Sequence, residues 1–175
     1  MKRERSDIIA FMGALCLFFA TIEYLFPKPV PFFRLGLANL PVLLTLGFFK
    51  PRETMLLVAL KVFGQGLING TLASYVFLFS AAGSVTSAIV MIAVFRVFKT
   101  RISLVGVSLF GAITSNIVQI ILSVTFIFGM TAWVIAPLFM VLGSASGVVV
   151  GLFAERFREQ SGWLRRVEST YVATG

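Results

Sequence analysis

The chain has 175 residues, 58% hydrophobic and only 13% charged, with a formal charge of +8 and a mean hydropathy of +0.99. A soluble domain averages about 25% charged residues, so this composition belongs to an integral membrane protein, and the length suits one membrane domain, residues 1–175. Histidine is absent, and Cys16 and Asp7 are the sole cysteine and aspartate. That excludes an intrachain disulfide, a Cys/His zinc site and histidine-based catalysis.

Residues 1–7 are a basic start with Lys2, Arg3 and Arg5. Residues 8–26 are mostly apolar and long enough to cross a hydrocarbon core of ~30 Å. The run is too long for a signal-peptide core and no small-x-small cleavage site follows it, so it reads as a retained first span. Ala10 and Ala14 stand four apart beside Gly13, a smooth patch for close helix contact, and Glu23 lies near the far end. Pro27, Pro29 and Pro31 cannot continue a regular helix and open a loop that runs through Arg34. Residues 35–49 form a short second span containing Asn39 and Pro41, and residues 54–68 a short third one, joined by the polar turn Lys50-Pro51-Arg52-Glu53. At 1.5 Å per residue each covers roughly 22 Å, less than the hydrocarbon core.

Residues 72–98 form a long fourth span, with Ser80, Gly83, Ser84, Ser87 and Ala88 as small residues at helical spacing. Residues 104–128 form the fifth, with Asn116 and Gln119 three apart near its middle. Residues 132–153 form the sixth, where Gly143, Gly147 and Gly151 repeat a small-xxx-small pattern and Pro137 favours a bend. Residues 154–175 read as a polar tail whose basic end suits the inner leaflet. The expected architecture is an all-α bundle of six transmembrane helices.

Six spans put both ends on one side. Twelve of the fifteen Lys and Arg fall at the N-terminus, in the turns after spans 2 and 4, and in the tail; Lys28 and Arg34 lie on the other side and Lys61 within a span. The positive-inside rule therefore places both termini in the cytoplasm. It accounts for the +8 charge without a nucleic-acid partner.

The most informative stretch is Lys61-Val-Phe-Gly64-Gln65-Gly66-Leu-Ile-Asn69-Gly70-Thr71. Lys61, Gln65 and Asn69 recur at four-residue spacing, so a helix carries them on nearly one face. A lysine inside a bilayer is costly and should face protein or a water-filled cavity. The stripe reads either as part of a binding site or as hydrogen-bonding glue between helices. Six spans also bring Glu23, Asn39, Asn116, Gln119 and, in the loop, Arg34 to the outer half of the membrane. Together with Lys61, Gln65 and Asn69 they outline an outward-facing pocket. Lys61 and Arg34 suit an anionic group on a ligand; alternatively, Lys61 pairs internally with Glu23 and Arg34 is solvated.

Three pieces of the chain carry a resemblance to a known family. Ala10-Phe-Met-Gly-Ala14, Phe33-Arg-Leu-Gly-Leu-Ala-Asn39-Leu-Pro41, and the Lys61–Thr71 stretch followed by Ser80-Ala-Ala-Gly83-Ser84 resemble the substrate-capture (S) components of energy-coupling-factor (ECF) transporters. They look closest to the Gx transporter family, also labelled heptaprenyl diphosphate synthase component I. The resemblance implies a multi-pass protein of the bacterial inner membrane that captures a small molecule from outside. It implies separate partners, a transmembrane coupling subunit and ATPase subunits, with Ala10 and Ala14 facing the coupling subunit. The chain has no GxxxxGK[ST] phosphate loop of its own, and no cofactor is called for.

The second label implies prenyl-diphosphate chemistry. Synthases of that kind hold Mg²⁺ with aspartate-rich motifs, and carboxylates are the appropriate hard ligands. One aspartate and six scattered glutamates do not form such a motif, so catalysis by this chain is not expected. The alternative that remains is a non-catalytic membrane subunit linked to prenyl-lipid or quinone metabolism, or to a redox assembly.

Overall fold

The computed structural model describes residues 2–25 and 36–173, and among them the regular structure is helical throughout. Helix α1 is Lys2–Leu25, α2 Leu40–Thr45, α3 Pro51–Ile68, α4 Tyr75–Phe98, α5 Leu104–Ser123, α6 Ala132–Gln160 and α7 Gly162–Ala173. A 3-10 turn, Leu37–Asn39, leads into α2, and a wider π turn, Val124–Phe128, prolongs α5 towards Gly129. The stretches long and apolar enough to cross a membrane are Arg5–Leu25, Tyr75–Phe98 and the folded-back run Leu104–Gln160. Large apolar side chains such as Phe18, Leu78, Ile121, Val134 and Val141 stay exposed along these helices. Lipid is the solvent that such a girdle matches.

The two short segments fit between them for different reasons. Every residue of α2 from Leu40 to Thr45 is buried, so α2 lies inside the bundle and needs no full membrane length. Helix α3 carries Arg52, Glu53 and Lys61 in 18 residues, and buries Thr54, Leu57, Val58, Lys61, Val62, Gln65 and Gly66 on one face. Its start is set by Pro51 in the first turn and by Glu53, whose carboxylate accepts from the Lys50 amide at 2.7 Å. It ends where Gly70 adopts φ +64°, a conformation that favours glycine. The turn that follows moves the start of α4 to Tyr75, three residues beyond the expected Leu72.

Close packing is built on small residues. Helices α5 and α6 form the most extensive pairing, and they run antiparallel: Gly143 faces Asn116, Gly147 faces Ala112, and Gly151 faces Val105 and Ser108. A Cβ on Gly151 would lie 2.5 Å from the Val105 Cα, so only glycine permits this approach. Helices α4 and α5 pair through Gly83 with Ser115 and through Gly111 with Ser87 and Met91. Gly13 meets Leu57 and Leu60 while Gly64 meets Leu17, so α1 and α3 run in the same direction, as alternate spans of a bundle must.

The main apolar core joins Met12, Cys16, Leu43, Leu57, Val58, Val107 and Val150 to Leu164 and Tyr171 of α7. A smaller core of Ile120, Ala136 and Phe139 lies further along α5 and α6. The expected polar tail from residue 154 onwards is corrected here. Helix α6 continues to Gln160, and α7 folds back against the bundle with Leu164 and Tyr171 buried. Tyr171 packs on Phe48 and Phe49 with ring centroids 5.5 and 5.0 Å away, and the Arg5 guanidinium sits 4.4 Å over its ring. Arg5 also pairs with Glu53, and Arg158 with Glu168, each at 3.2 Å. The start of α1, the α2–α3 turn, the end of α6 and α7 therefore meet at one end. A groove lined by Gly47, Lys99, Ile102 and Arg158 brings the α4–α5 turn there too.

Burial pushes the Tyr171 phenol from an ordinary 10.0 up to about 12; Glu53 beside it adds to the rise and Arg5 opposes it. The folded state thus holds the protonated phenol. The stabilisation from this group is complete below pH 10.0 and is lost as pH rises through about 12. Trp163 fluorescence should report α7 loosening across that window, and Tyr171→Phe should remove this contribution to the step.

Candidate binding cavity

Most of the polar residues buried among these helices surround one cavity of about 50 Å³. Its lining includes Glu23 of α1, Gly36 and Asn39 beside α2, Lys61 and Gln65 of α3, and Ser80, Ser84 and Ser87 of α4. Helix α5 contributes Ser108, Ser115, Asn116 and Gln119, and α6 contributes Gly143, Gly147 and Val150. A water needs roughly 10–15 Å³ by this kind of measure, so the volume suits a few waters or one compact solute. Drug-sized pockets run to about 300–1,000 Å³.

Lys61 is 4% exposed. Its ammonium donates to Asn39 Oδ1 at 2.5 Å and to Ser84 Oγ at 3.3 Å, tying α3 to the start of α2 and to α4. Glu23 is buried too, and its Oε1 accepts from the Gly36 amide at 3.2 Å. Lys61 and Glu23 line the same space, one cation and one carboxylate among carboxamides and hydroxyls.

On the far wall, Gln119 Nε2 donates to Ser115 Oγ at 3.0 Å, and Asn116 Nδ2 donates to the Phe139 carbonyl at 3.4 Å. Gly143 makes room for Asn116, because a Cβ there would lie 1.8 Å from Asn116 Nδ2. Ser87 Oγ and Gln119 Oε1 are buried with no hydrogen-bond partner among the described residues. Whichever way the Gln119 carboxamide is turned, one of its two polar atoms is left to a water or a solute. A buried polar atom without a partner costs about 1–3 kcal/mol, so this wall favours an occupant that can hydrogen-bond.

Of the residues expected to form a pocket, Lys61, Gln65, Asn39, Glu23, Asn116 and Gln119 line this one cavity. Asn69 does not: it lies just past the last turn of α3, with its amide on the Gln65 and Leu67 carbonyls. Arg34 lies outside the described residues. Sequence reasoning took the serines of α4 for packing residues and passed over those of α5. Ser80, Ser84 and Ser87 follow helical spacing, as do Ser108 and Ser115, and that periodicity was the available signal. The cavity also reaches deeper than expected, to Met91 and Val150, well past the start of each helix. Ala10 and Ala14 sit apart from it, exposed on the outer face of α1 beside Phe11, while Gly13 turns inward to α3.

A family model described as heptaprenyl diphosphate synthase component I matches residues 12–157. The match contains every residue of the cavity lining, from Glu23 to Val150, and stops short of α7. No curated protein and no solved structure matches the chain. With most of its length covered by that match, the chain belongs to the heptaprenyl diphosphate synthase component I family.

Proposed function

We propose that the chain is a non-catalytic, membrane-embedded capture subunit for a small polar molecule, of the kind represented by ECF S components. The observation that carries this reading is a buried lysine held by Asn39 and Ser84 in a cavity lined by carboxamides and serines. An ionisable residue inside a membrane bundle that faces its interior points to a functional site. The matching solute is compact, with an anionic or electron-rich group at Lys61 and a hydrogen-bonding group at Gln119. Uptake then requires a separate coupling subunit in the membrane and ATPase subunits on its inner side. Ala10 and Ala14 are the contact face for the coupling subunit, in a bacterial inner membrane with both termini cytoplasmic.

The family description favours a second reading, a non-catalytic subunit of a prenyl-diphosphate assembly. The cavity weighs against a prenyl occupant. Its volume is about 50 Å³, and Glu23 is its one carboxylate among the described residues, whereas Mg²⁺-diphosphate sites draw on several oxygen ligands. Native mass spectrometry of gently extracted protein separates the two. A retained small polar molecule supports capture; a stable prenyltransferase complex with no retained solute supports the second reading.

Two further outcomes are expected. A reporter fused after Gly175 should behave as cytoplasmic and one inserted at Gly129-Met130 as external, following the basic-residue asymmetry; the reverse pattern would invert the pocket. Ala10→Leu/Ala14→Leu should weaken co-purification with a coupling subunit roughly tenfold or more while the bundle stays folded, since both side chains point away from it. A complex unaffected by both leucines would make that face ordinary lipid-facing surface.

A further inference from the structure

Helix α7 lies outside the family match and takes no part in the cavity. It is 12 residues long, a length at which an isolated helix is marginal in water. Its inward face is well anchored through Leu164 and Tyr171. Its only acidic residue, Glu168, is turned to Arg158 at 3.2 Å. The charges left on its outward face are therefore both positive, Arg165 and Arg166, and both are exposed.

The setting of that face is the edge of the membrane. Helix α6 has 29 residues, about 43 Å at 1.5 Å per residue, and overshoots a hydrocarbon core of ~30 Å. Its last turns and α7 therefore leave the hydrocarbon at the end where α1 begins. Trp163, 41% exposed, packs its ring 5.2 Å from Phe11, itself an outward residue near the start of the first span. A tryptophan at the rim of a span beside outward arginines matches the headgroup zone, where indole rings and basic side chains both gain. Arg52 and Arg156 are exposed at the same end. The acidic groups there are Asp7 and Glu159, which are exposed, Glu155, which is partly so, and Glu53 and Glu168, which are paired.

We propose that the outer face of α7, formed by Trp163, Arg165 and Arg166, binds the phosphate groups of anionic phospholipids, so that the helix is held between the bundle on one side and the lipid surface on the other. This does not depend on what the cavity binds.

The test uses the full chain in lipid nanodiscs. Trp133→Phe leaves Trp163 as the sole tryptophan. Discs of phosphatidylcholine receive a small fraction of phosphatidylglycerol with brominated chains, or the same fraction of brominated phosphatidylcholine. Quenching of Trp163 should be greater with the anionic lipid, reporting its enrichment beside α7, and the excess should shrink as salt is raised. Arg165→Gln/Arg166→Gln should reduce the enrichment by about fivefold per arginine. Because both side chains are exposed, the fold should survive, and size-exclusion and helicity measurements check that it does. Equal quenching by the two lipids in the parent protein, or an excess that persists in the folded double variant, would overturn the proposal.

Discussion

Lys61→Met should leave a folded bundle that binds its small polar solute at least ten- to hundredfold more weakly. A hydrogen bond to a charged group contributes about 1.5–3 kcal/mol, and Lys61 is the cation that lines the cavity among the described residues. Stability should change little, for two opposing reasons. Removing a buried ammonium relieves a desolvation cost. The same change strands Asn39 Oδ1, which accepts from Lys61 at 2.5 Å, at about 1–3 kcal/mol. Asn39→Leu added to Lys61→Met should therefore raise stability above that of Lys61→Met alone without restoring binding. Glu23→Gln added instead should restore stability only if the carboxylate and the ammonium are energetically coupled across the cavity. Thermal unfolding of the single and double variants, with and without the co-purified solute, checks each arm. A folded Lys61→Met protein with unchanged affinity would remove Lys61 from the site.

Gly151→Ala should be the most damaging single methyl group. Its Cβ would lie 2.5 Å from the Val105 Cα and 3.2 Å from the Leu104 carbonyl oxygen. Backbone cannot rotate aside, so α5 and α6 must separate, at a cost of about 1–3 kcal/mol or more. Gly143→Ala offers a contrast. Its clash is with the Asn116 side chain, which can swing away and give up its bond to the Phe139 carbonyl. That variant should stay folded and lose solute binding instead, because Asn116 lines the cavity. Thermal stability and solute retention measured side by side should thus rank the two glycines in opposite orders. Equal stability of the two variants would mean that the α5–α6 spacing relaxes freely.

Much of the fold and of the cavity was legible because a membrane penalises each polar side chain separately. Lys61, Gln65, Asn39, Asn116, Gln119 and Glu23 stand out in apolar runs, and the structure draws them together. The glycine repeat of α6 was legible for a related reason, since small residues at four-residue spacing serve close helix contact. The serines were harder to read. A serine hydroxyl can satisfy itself on its own helix carbonyl, so Ser80, Ser84 and Ser87 look the same in sequence whether they pack or line a cavity. Asn69 continued the four-residue stripe, but the helix stops at Ile68, and periodicity carries no meaning beyond a helix end. Helix α7 was hidden by its average. Arg165, Arg166 and Glu168 make the segment polar overall, while Leu164 and Tyr171, seven apart, mark one buried face.

The central claim is that the cavity beside Lys61 is a binding site for a compact polar solute. A high-resolution density map of the protein, purified gently from its native membrane, tests it most directly. The account predicts density for one small non-protein molecule within hydrogen-bond reach of Lys61 Nζ and of Gln119, absent from the same map of Lys61→Met. A cavity holding only ordered water in both proteins, or an elongated prenyl-like density threading the helices, would contradict it.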